Sequence, residues 1–111
     1  MPALEAYTVS PTDTIRATME KINDNGMRAV VVVEDEVVVG TVSDGDIRRA
    51  MLQDVLTISP VSGVMQLNPQ VTTTSDPGAR RDMIDRHHLT LLPIVDGANR
   101  LVDVELAYDP F

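Results

Sequence analysis

The residues best suited to chemistry lie in one short stretch, Gly40-Thr41-Val42-Ser43-Asp44-Gly45-Asp46-Ile47-Arg48-Arg49. An ionised Asp46 can accept two hydrogen bonds from a vicinal diol. A helix beginning near Ser43 aims its free backbone N–H groups at an anion, and Arg48 and Arg49 on that helix are placed to clamp a phosphate. The same residues also fit a plainer assignment. Ser43 with Asp46 three positions on is a capping box, with Asp where Glu or Gln is usual, and the arginines form a solvated face paired with local acids. Both assignments stay open, and they can hold together.

His87 and His88 close a later helix, where the dipole favours imidazolium; the alternative is a pair of surface histidines. Adjacent histidines do not share a helix face, so no metal site is read from them. Asp44 and Asp46, with Asp35, form a weak magnesium pattern that a solvated acidic run explains as well. There is no serine, histidine and acid trio at useful spacing and no Gly-x-x-x-x-Gly-Lys loop. The absence of cysteine removes thiolate metal sites, disulfides and cysteine nucleophiles. The expectation is no catalysis by this chain and no metal.

Positioning these residues is the task of an internal repeat. In the first copy Ser10-Pro11-Thr12-Asp13 opens a helix with apolar Ile15, Met19 and Ile22, closed by Gly26. Ala29 to Val33 is a β-branched run that reads as a strand covered on both faces. Glu34-Asp35-Glu36 turns it, and Val37 to Val42 returns with Gly40 inside, the mark of a bulge or a close backbone approach. Ser43 then caps a helix over Asp46 to Gln53. The second copy begins at Val71-Thr72-Thr73, with Pro77 starting a helix that runs to about His88. Leu91 to Val95 is its buried strand, Asp96 to Asn99 its turn and Leu101 to Leu106 its returning strand. Val33 aligns with Val95 and Asp46 with Asp109, offsets of 62 and 63 that one inserted turn residue reconciles. The copies span 1–58 and 70–111, and 59–69 is a linker with a short helical turn and the stop Asn68-Pro69.

Composition limits the partners. The net charge of -8 repels polyphosphate backbones, which argues against nucleic acid and anionic membrane, although a local arginine cluster can hold one small anion. Eight of the nine basic residues are arginine, which favours fixed bidentate sites. The longest apolar stretch, Ala29 to Val33, is too short to cross a bilayer, and no signal peptide pattern opens the chain; the expected location is the cytoplasm.

The Gly40 to Arg49 signature after a valine hairpin resembles the CBS domain family. So do Val61 to Pro69 and Leu92-Pro93-Ile94-Val95-Asp96, and the resemblance covers about Val9 to Asp109. It implies an α/β (α+β) CBS domain pair, or Bateman module: two pseudo-symmetric β-α-β-β-α repeats packed through their sheets, commonly dimerised into a disc. It implies an adenosine ligand (AMP, ADP or ATP) between the repeats, with the hydroxyls of the ribose on Asp46 and Ser43 facing ribose or phosphate. Backbone around Met27, Arg28 and Ala29 would border the base, and His88 lies across the cleft toward phosphate. With Thr41, Asp44, Arg48 and Arg49 these form the candidate nucleotide-binding set. In the second copy Asp103 replaces the glycine and Leu106 the hydroxyl residue, so one usable cleft at most is expected. The wording Ser-Asp-Gly-Asp-Ile-Arg-Arg is similar to CBS pairs ahead of sugar-phosphate nucleotidyltransferase domains. Ending at Tyr108 to Phe111 suggests a piece of a longer enzyme or a degenerate second copy. The resemblance thus points to a regulatory nucleotide sensor attached to such an enzyme; the alternative is a structural homodimerisation module with vestigial clefts.

Overall fold

The computed structural model describes residues 3–108. After a 3-10 turn at Leu4–Tyr7 the first repeat runs β1 (Thr8–Val9), α1 (Ile15–Asn25), β2 (Ala29–Glu34), β3 (Val37–Ser43) and α2 (Asp44–Leu52). A second 3-10 turn, Val61–Gly63, interrupts the linker. The second repeat follows as α3 (Pro77–His87), β4 (Leu91–Val95) and β5 (Leu101–Leu106). The architecture is mixed α/β.

Strand β2 is buried on both faces because alternate valines serve two layers. Val30 and Val32 face α1 and α2 in a cluster with Ile15, Ile22, Val42, Ile47 and Val61. Val31 faces the other way, joining Tyr7, Met27 and Val38 to Leu91, Val95 and Val104 of the second repeat. The repeats therefore pack through their sheets. β4 is built on the same plan, its remaining face pressing Leu92 and Ile94 against Ile84 of α3.

The two hairpins also share their register. β2 pairs antiparallel with β3 from Ala29 opposite Ser43 to Val32 opposite Gly40, then shifts so that Val33 faces Val38. β4 pairs with β5 from Leu91 opposite Leu106 to Ile94 opposite Asp103, then shifts so that Val95 faces Leu101. The extra residues, Val39 and Val102, are bulges at matching positions. Gly40 therefore does lie beside a bulge. It also lies in a close approach, since a Cβ there would stand 2.8 Å from the Gln66 carbonyl oxygen and 2.9 Å from Met65 Sδ.

Several boundaries differ from the sequence reading. Ser10 to Asp13 does not open α1. Asp13 Oδ2 accepts the Ser10 N–H and the Asp13 N–H returns to the Ser10 carbonyl, closing a turn, and Thr14 is the true cap, accepting from the Ala17 N–H at 3.0 Å. Gly26 ends α1 as expected, in the left-handed region at φ 70°. α2 begins two residues before Asp46, directly after Ser43. In the second repeat the segment around Thr72 makes one parallel bridge, to Ile94, where β1 makes two with β2. Pro93, in the place of Val31, supplies no N–H to that side of the sheet.

Candidate functional site

The start of α2 is locked by a reciprocal cap. The Ser43 hydroxyl accepts the Asp46 N–H at 3.2 Å, and Asp46 Oδ2 accepts the Ser43 N–H at 2.9 Å and the Ser43 hydroxyl at 3.0 Å. The capping-box assignment is therefore realised. On the other oxygen, Oδ1 accepts from Arg49 Nη2 and, at 2.9 Å, from Gln66 Nε2. The Asp46 side chain is 5% exposed. Burial pushes its carboxyl up, but the bonds from Gln66, from the Ser43 N–H and hydroxyl and from Arg49 outweigh this and hold it below its ordinary range.

Asp46 stands in the wall of a cleft of about 410 Å³ between the repeats. Of the residues singled out by sequence, Arg28, Ala29, Thr41, Ser43, Asp44, Asp46 and His88 line it. Three do not. Met27 is fully buried in the inter-repeat core, and its carbonyl accepts the Thr90 hydroxyl at 2.5 Å, so Thr90 rather than Met27 meets the cleft. Arg48 lies two residues, about 200° of helix, beyond Asp46 and lines a separate groove of about 570 Å³ between α1 and α2. Arg49, one turn after Asp46, is spent on its ion pair with that carboxylate.

Arg28 and Asp44 border both cavities, and the Asp44 N–H donates to the Arg28 carbonyl at 3.0 Å. Arg28 and His88 both have positive φ, 63° and 55°. The sequence reading missed three polar cleft residues, Gln66, Gln70 and Thr90, and the apolar wall that includes Leu89, Leu91 and Pro93. Gln66 comes from the linker, where its N–H and carbonyl bond to the Thr41 carbonyl and N–H at 2.8 and 3.2 Å. Among the described residues, no three His, Asp or Glu side chains gather in a group able to hold a metal ion.

At the matching positions of the second repeat, Asp103 accepts the N–H of its neighbour Val104, and Leu106 packs into the inter-repeat core. Asp109 lies outside the described residues.

Two sheets packed through a shared apolar layer, with a polar cleft at the capped start of α2, define the fold of CBS domain pairs. Residues 3–53 match the family model of the CBS domain. Over its length the chain superposes on a CBS domain protein from Pyrobaculum aerophilum complexed with AMP. That likeness has a TM-score of 0.75 at 21% identity, covering 96% of this chain and 87% of that one. A putative acetoin utilization protein from Vibrio cholerae superposes with a TM-score of 0.81 at 20% identity, over 90% of this chain and 76% of that one. Among curated proteins, arabinose 5-phosphate isomerase KdsD of Francisella tularensis subsp. tularensis is 26% identical over 107 residues, 95% of this chain and 33% of that protein. The chain spans about a third of the length of the curated relatives it matches. No helix among the described residues is long and apolar enough to cross a membrane.

Proposed function

We propose that this chain is a regulatory module that binds an adenine nucleotide, AMP, ADP or ATP, in the cleft between its repeats and performs no catalysis itself. The observation that carries this reading is the composition of the cleft. A buried carboxylate, Asp46, stands at a helix N-terminus with Arg28, Thr41 and Ser43 on one side and His88 and Thr90 on the other. That set suits a nucleoside diol and a phosphate together. The AMP held by the Pyrobaculum protein of the same fold supports it.

Occupancy regulates only if it is tighter in one arrangement of the attached parts than in another. We place the module in a cytoplasmic homodimer that controls an enzyme of sugar-phosphate chemistry. The signature around Asp46 suggests a nucleotidyltransferase, whereas the Francisella relative is an isomerase, and both act on that substrate class. The test is thermal unfolding with AMP, ADP, ATP, S-adenosylmethionine and nucleoside diphosphate sugars, with and without magnesium. A ligand at 100 times its dissociation constant adds about 2.7 kcal/mol, a rise of several degrees for a domain of this size. The rise should appear with an adenine nucleotide and vanish in Asp46→Ala.

The saturation of Asp46 by protein donors favours one second reading, a dimerisation module with vestigial clefts. That reading expects a concentration-dependent melting temperature which no nucleotide changes.

A further inference from the structure

The two oxygens of Asp46 offer about four acceptor positions, and four donors occupy them: the Ser43 N–H and hydroxyl on Oδ2, Arg49 and Gln66 on Oδ1. The pairs differ in what holds them. The Ser43 bonds close the cap and maintain the start of α2. The Oδ1 bonds come from exposed residues, the Arg49 side chain being 64% exposed. The Gln66 backbone, by contrast, is fixed by its two bonds to Thr41 and by the close approach of Gly40. Its carboxamide is thus presented at one place and can leave by side-chain rotation alone.

Resting on the reading of the cleft as a nucleotide site, we propose that the Gln66 carboxamide is a gate. It holds Oδ1 of Asp46 while the cleft is empty, and a nucleoside diol docks by taking over that acceptor as Arg49 swings away. The empty protein thereby avoids a buried carboxylate short of partners. Each new ligand bond replaces an existing one, so the gate raises the nucleotide concentration at which the cleft fills. Removing the carboxamide has effects of opposite sign: it destabilises the empty chain and tightens binding. A residue that only shaped the wall would weaken both, and a ligand contact would weaken binding.

The experiment is calorimetric titration of AMP into the full chain, Gln66→Met, Gln66→Ala and Asp46→Ala, with a melting curve for each. Gln66→Met keeps the side-chain length and cannot donate. It should bind AMP roughly ten- to a hundredfold tighter, the range of one hydrogen bond to a charged group, and melt at a lower temperature than the natural chain. Gln66→Ala should move in the same directions. AMP binding by the Gln66 variants alone, with none by the natural chain, supports the same gate held more firmly shut. If the natural chain binds AMP, Asp46→Ala does not, and both Gln66 variants bind with equal or weaker affinity, the gate is overturned while the nucleotide reading stands. No binding by the natural chain or either Gln66 variant overturns both.

Discussion

Beside β2, the returning strand presents Gly40, Thr41 and Ser43; beside β4, the same register positions carry Asp103, Val104 and Leu106. The backbone plan is the same, down to the bulge. The chemistry has parted. In the first repeat the glycine lets the linker lie against the strand, so that Gln66 bonds Thr41 and reaches Asp46. In the second, Val104 and Leu106 join an apolar cluster with Leu4 and Tyr7. Register and bulge are properties of paired strands, whereas a polar cleft needs a particular side chain at each position, so substitution removes the second without disturbing the first.

Exchanging residues between the matching positions tests this directly. Gly40→Asp should have the largest effect, because its Cβ would meet a backbone carbonyl at 2.8 Å that cannot rotate aside. A loss of about 3 kcal/mol in denaturant unfolding is expected, at the upper end for overpacking. The converse, Asp103→Gly, gives up one local bond and adds backbone freedom, and should cost about 1 kcal/mol. Equal losses at the two positions would show that the linker does not depend on the glycine.

Asp46 comes next. Asp46→Ala removes the acceptor of the cap and of two further donors, and should cost about 2 kcal/mol. Its folded carboxyl titrates below the ordinary value of 3.8, so ionised Asp46 stabilises the fold fully above that value. That stabilisation is lost as pH falls from there through the lower, folded value. The stability difference between the natural chain and Asp46→Asn should therefore be flat from neutral pH to about 5 and shrink below 3.8. Because the other carboxylates are common to both proteins, the difference isolates Asp46. A difference constant down to the acid transition would show that the carboxylate is not held by these donors.

The first repeat was largely legible in the sequence because its signals are local. Valine alternation marks the hairpin, Gly26 ends α1, and Ser43 with Asp46 marks the cap. What escaped depends on distance along the chain. Gln66 reaches Asp46 across 20 residues and Thr90 reaches Met27 across 63, and no local pattern announces either. The false start of α1 had another cause, since Ser10 and Asp13 can close a turn with the same groups that cap a helix. Arg48 was placed with Arg49 by adjacency, although successive helical residues point about 100° apart.

The smallest effect concerns the ends of α1 and α3, which occupy matching positions. Gly26 ends α1 in the left-handed region at φ 70°, a conformation that costs glycine nothing. His88 ends α3 in the same region at φ 55°, where a side chain costs about 1–2 kcal/mol. His88→Gly relieves that strain and adds about 0.5–1 kcal/mol of unfolded-state entropy, so a net gain of about 0.5–1 kcal/mol is expected in denaturant unfolding. Unlike Gly26, which borders the groove between α1 and α2, His88 lines the cleft. If the imidazole meets the phosphate of a nucleotide, His88→Gly should bind AMP more weakly while melting at a higher temperature. Stability and affinity would then move in opposite directions, as expected where backbone strain is retained for a ligand contact. A more stable variant with unchanged AMP affinity would reduce His88 to a helix end that happens to border the cleft.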